Sequence, residues 1–163
     1  MYTYIVLLHV LAATVWTGGH LVLATTVLPR ALRARSPEIL LDFENGFEKV
    51  GMPALVIQIA TGLWLAWQQI PDLAAWFGFE SFAATMIALK LGTLAVTAAF
   101  AISARFFIVP NLRPETLPLF AWHIVPVTVL SVVFVILIYW WRISVDINAK
   151  LESIFWGVVR RNK

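Results

Sequence analysis

The sequence predicts an all-α integral membrane protein, a four-helix transmembrane bundle with a short interfacial helix in loop one and an amphipathic C-terminal tail. Three observations carry this. The 163 residues are 61% hydrophobic and only 13% charged, with a mean hydropathy of +0.85, which is outside the range of soluble domains. Four apolar runs, about 3–28, 51–69, 82–108 and 120–141, are long enough to cross a hydrocarbon layer of about 30 Å at about 1.5 Å per residue. Between them lie short stretches that collect the charges and prolines. No internal repeat or composition shift divides the chain, so 1–163 reads as one transmembrane domain with 142–163 as its tail.

The first run, from Tyr2 to Leu28, carries no Lys, Arg, Asp or Glu. It lacks a basic flank and is too long for a signal-peptide core, so it is expected to span. Pro29 is expected to end it. In loop one, Ser36-Pro37-Glu38 offers a capping residue, a proline for the first helical position and an early acid, so a short helix is expected to start there. Leu40, Leu41, Phe43 and Phe47 are expected to lay one side of it on the membrane surface. The second run holds Pro53 in its first turn, with Gln58 and Thr61-Gly62 deeper in. Loop two contains no Lys or Arg. The third run holds Lys90 and ends near Arg105 and Pro110, and loop three has the turn signals Pro114 and Pro118. The fourth opens on Trp122-His123 and closes at Tyr139-Trp140-Trp141-Arg142. Beyond it, Leu151, Ile154, Phe155 and Trp156 alternate with Lys150, Arg160 and Arg161, as in an interfacial helix. Trp64, Trp67, Trp76, Trp140 and Trp141 fall near span ends, where an aromatic belt is expected.

Charge placement sets orientation weakly. Arg30, Arg33, Arg35, Lys49, Arg105 and Arg113 lie on one side, against Arg142, Lys150, Arg160, Arg161 and Lys163 on the other. The flanks of the first helix favour loop one in the cytoplasm, so both termini are expected outside a bacterial-type inner membrane. The small net charge of +3 is a topology signal and no nucleic-acid footprint. The chain has no cysteine, which excludes disulfides, thiolate metal sites and iron–sulfur clusters.

Within this apolar setting the ionisable residues stand out. Ionisable groups inside a membrane are costly and mark function. His9 and His20 are eleven residues apart and fall within about 20° of each other on a helical wheel, with Trp16 on the same stripe. Depth counting puts His20 near the level of His123, and His9 near that of Lys90. An iron porphyrin clamped axially by His20 and His123, with Trp16 beside it and Arg30 and Arg105 near its propionates, would explain the first level. Lys90 either snorkels along its aliphatic stem or points inward with His9 toward an anionic substrate, where the two can move protons. Copper is the alternative cofactor, with His9, His20 and His123 as metal ligands and Met52 or Met86 as thioethers.

These residues resemble the CopD and HemJ-type membrane proteins. The motif LHVLAATVWTGGHLVL resembles the family's opening helix, LPRALRAR its Leu-Pro-Arg segment, IALKLGTLAV the span with the HemJ-type lysine, and WHIVPVTVLSVVFVILIYWWR its last span. The resemblance implies a haem-b-associated four-helix protein, similar to protoporphyrinogen oxidases, whose functional His and Lys map to His9 and Lys90. CopD-type members imply copper uptake or resistance. His20 is extra to the HemJ-type pattern, and its Asn-Glu pair is replaced near His123. The expected function is therefore a haem-b membrane oxidoreductase exchanging electrons with a quinone or a porphyrinogen. A copper transport or resistance protein and a non-catalytic membrane subunit are the alternatives. Expected partners are the bilayer, a quinone or porphyrin substrate and further copies of the chain.

Overall fold

The computed structural model describes residues 1–161, with backbone only for 141, 142, 156 and 159–161. The first run is helix α1 (Tyr2–Val22), which continues through a π-helical turn (Leu23–Val27) into α2 (Leu28–Ala34). Helix α3 spans Glu38–Gln69, α4 spans Phe82–Ser103 and α5 spans Leu117–Arg161. A second π turn (Ala104–Ile108) and a 3-10 turn (Val109–Asn111) follow α4, and a 3-10 turn (Ala74–Phe77) sits in loop two. Among the described residues, four helical stretches are long and apolar enough to cross a membrane.

Three boundaries differ from expectation for local reasons. Pro29 does not stop the first helix. The π turn just before it winds wider than an α-helix, and Pro29 becomes an early residue of α2, where a missing N–H is tolerated. The helix ends at Arg35 instead, in the left-handed region at φ 51°, with the Ser36 N–H closing back on the Ala31 carbonyl at 3.1 Å. Loop one thus shrinks to a few residues. The helix that starts at Glu38 is no separate surface helix but runs unbroken into the second span, and its apolar side faces the bundle, with Leu40 fully buried. Likewise α5 has no break at residue 142, so the helical tail continues the last span. The side chains of Trp141, Arg142, Trp156, Arg160 and Arg161, and all of Lys163, lie outside the described set.

Loop two is locally closed. The Asp72 carboxylate accepts from the Ala74 N–H at 2.9 Å, and Ser81 caps α4 by accepting from the Ala84 N–H at 3.1 Å. Trp76 does not join an interfacial belt. It is buried, and its indole N–H donates to the Ile70 carbonyl at 2.8 Å. Trp67 and Trp140 are exposed as a belt requires.

Helix α1 packs most extensively on α3, α4 on α5, and α1 also on α5. The series α3–α1–α5–α4 is tied across its ends by Arg105 of the second π turn and Glu48 of α3, at 3.2 Å. The apolar core lies at the end that carries loops one and three, where Leu23, Leu28, Ala31 and Leu40 meet Ile108, Leu117, Phe120 and Ile124. Helices α1 and α3 touch most closely at two glycine notches. The Phe47 ring occupies the space that a Cβ on Gly19 would need, and comes within 2.7 Å of one on Gly51. At the other level, a Cβ on Gly62 would lie 3.0 Å from His9 Cε1.

Candidate metal-handling site

The two histidines of α1 both turn toward α3, as their shared stripe predicts. His9 Nδ1 lies 2.8 Å from Thr61 Oγ1. The Thr61 hydroxyl itself lies 2.6 Å from the Ile57 carbonyl, a distance that places its one proton there. Thr61 is therefore the acceptor, His9 carries its proton on Nδ1, and the lone pair sits on Nε2. His20 is buried between the Trp16 indole, at a ring separation of 4.3 Å, and the edge of Phe47, at 5.8 Å. Its Nδ1 donates to the Trp16 carbonyl at 2.9 Å, which again leaves the lone pair on Nε2. The backbone is held from the far side, where the Thr128 hydroxyl of α5 reaches the His20 carbonyl at 3.2 Å and the Ile124 carbonyl at 2.8 Å.

His123 follows the same rule on a different interface. Its Nδ1 donates to the Leu119 carbonyl at 3.0 Å, so its Nε2 accepts from the Ser103 hydroxyl of α4 at 3.2 Å, and its ring meets Phe100 edge-on at 5.8 Å. The expected axial pair of His20 and His123 does not form in this arrangement. One ring is seated between α1 and α3 and the other between α5 and α4, so the similar depth read from the sequence does not bring them onto one metal. To hold a porphyrin between them, His123 would have to give up Ser103 at Nε2 and the two rings would have to leave their separate interfaces, so the present seats do not fit that group. Arg105 is engaged by Glu48 and Arg30 is exposed on α2, so neither marks a propionate pocket.

The second expected level fares differently. Lys90 of α4 is half-buried. Gln58, one turn before Thr61, adds a side-chain carbonyl oxygen that is buried with no hydrogen-bond partner among the described residues. His9, Thr61 and Gln58 thus form a polar level inside the apolar bundle, with Lys90 half-buried on α4. Sequence reasoning had named all four residues but had not paired His9 with Thr61. It missed Phe47 as the neighbour of His20, and Ser103 and Thr128 altogether. A hydroxyl inside an apolar span was the available signal.

Two methionines add soft donors at different exposures: Met86 is buried on α4, and Met52 is exposed on α3. Among the described residues, no three His, Asp or Glu side chains converge into a closed metal cage. What the geometry provides, with Nε2 of His123 taken by Ser103, is two single imidazoles, His9 and His20, each orientated by a hydrogen bond at Nδ1 and presenting Nε2. That is the nitrogen arrangement that a metal-ligating histidine takes.

Residues 41–141 match the family described as CopD, copper resistance protein D. No curated protein and no solved structure matches the chain. The matched stretch is well over half of the sequence and runs through α3, α4 and the apolar part of α5, with Lys90 and His123 inside it and His9 and His20 on the helix before it. With four helices able to span a membrane and this match across three of them, the chain belongs to the CopD family of multi-pass membrane proteins.

Proposed function

We propose that this protein handles copper ions within the membrane, with His9 and His20 of α1 as its imidazole donors. The observation that carries the reading is the contact at Nδ1 of each ring, with Thr61 Oγ1 for His9 and the Trp16 carbonyl for His20; an Nδ1 proton given to these oxygens keeps the Nε2 lone pair for something else. Imidazole and thioether suit copper, and membership of the copper resistance family points to the same ion. Separated imidazoles at two depths, without a closed cage, suit an ion that is passed along a helix face and not one locked in place. Thr61 and the Trp16 carbonyl act as positioning groups, since a ring free to flip would present the lone pair only part of the time.

The test is copper binding by the purified chain in detergent, with Cu(I) supplied against a competing chelator and the visible spectrum recorded. His9→Ala and His20→Ala are each expected to weaken binding at least about tenfold while helicity is kept. Wild-type protein that purifies with a Soret band and takes up no copper would overturn the reading in favour of a haem protein. Equal copper binding by both variants would overturn the assignment of these two residues.

A further inference from the structure

Between the glycine notches, helices α1 and α3 part. Ala12 and Ala54 are buried but too small to fill the space, and it opens toward lipid as a groove of about 350 Å³. Leu8, Leu11 and Val15 form one wall, and Val50, Pro53 and Ile57 the other. All six side chains are apolar. The groove follows α3 from Lys49 to Ile57, a rise of about 12 Å, and has room for roughly a dozen groups the size of a methylene at about 30 Å³ each.

Its mouth is chemically distinct. Lys49 lines the groove at the end nearer loop one, just outside the second apolar run, where lipid headgroups lie. The neighbouring acid, Glu48, is engaged by Arg105, and no ion pair to Lys49 occurs among the described residues. Pro53, one helical turn on, has no N–H to give to the carbonyl four residues back, which is that of Lys49. An ammonium and a carbonyl relieved of its helical partner therefore sit together above an apolar slot. We propose that this groove binds one anionic phospholipid, with an acyl chain along Ala12 and Ala54 and the phosphate on Lys49. The headgroup's hydroxyls can donate to the Lys49 carbonyl. A groove of about two helical turns is too short to bury a stable helix–helix interface by itself, whereas an alkyl chain fills it and leaves no void.

The experiment reconstitutes the full chain in vesicles of equal phosphatidylglycerol and phosphatidylcholine, extracts it in mild detergent and counts retained lipids by native mass spectrometry. One phosphatidylglycerol per chain is expected, enriched over phosphatidylcholine by about fivefold, the effect of one lysine near an anionic headgroup. Lys49→Gln is expected to abolish the enrichment but still retain one lipid of either kind. Ala54→Leu, with helicity checked, is expected to retain none. Equal retention of the two lipids by wild type, or enrichment unchanged in Lys49→Gln, overturns the proposal. The chain lacks cysteine, so Val50→Cys is a clean probe for the competing occupant. Efficient cross-linking between copies through that residue would assign the groove to a second chain.

Discussion

At the scale of single residues, the two adjacent glycines of α1 make opposite predictions. Gly19 faces the Phe47 ring, whereas nothing lies within 4 Å of a Cβ on Gly18. Gly19→Ala should therefore lower stability by about 1–3 kcal/mol through overpacking. Gly18→Ala should raise it by up to about 1 kcal/mol through the lower conformational entropy of alanine. Thermal unfolding in detergent compares the two, and equal shifts would contradict the Phe47 seat. Arg35 carries the positive φ that ends α2, so Arg35→Gly should stabilise by about 1 kcal/mol in the same assay. The histidines and Lys90 were legible in the sequence because an ionisable group in an apolar run has no bland explanation. Their partners were not. Counting from span ends fixes a residue's depth but not which neighbouring helix its side chain meets. His20 and His123 therefore seemed paired, while the His9–Thr61 contact went unseen.

At the scale of elements, the starts of the helices were more legible than their ends. Ser36, Pro37 and Glu38 announced α3, because capping chemistry is local, whereas the Ser81 cap of α4 went unread. The end of the first helix was hidden by the π turn just before Pro29, which carries the helix past its apparent stop, whereas the π turn before Pro110 closes the third run where it was expected to end. Charge and composition suggested that α5 would change character at residue 142, yet hydrogen bonding continues through it. Beyond that point the apolar residues Ile147, Leu151, Ile154, Phe155 and Val158 are all exposed. A chain ended after Val145 should accordingly unfold within about 0.5 kcal/mol of the full-length protein. A larger loss in the melting comparison would show that the removed segment packs on the bundle.

For the molecule as a whole, four spans require the N-terminus and the start of the C-terminal extension to share a side. We propose that this side is the exterior, because the basic flank of the first helix favours loop one in the cytoplasm. In the cysteine-free background, Thr3→Cys and Asn148→Cys should react with an impermeant maleimide on intact cells, and Asp42→Cys should not. The reverse pattern would invert the proposed topology. Hydropathy made the bundle legible, because only a continuous helix satisfies its backbone in lipid. Composition could not show where α1 and α3 separate, since a groove arises from the mismatch of small side chains across two helices. Those two helices meet ring against backbone at Gly19 and again at Gly62, and such contacts have little slack. Two fixed points define a line. The contacts along it resist closer approach of the pair, so the slot between them is propped open at both ends.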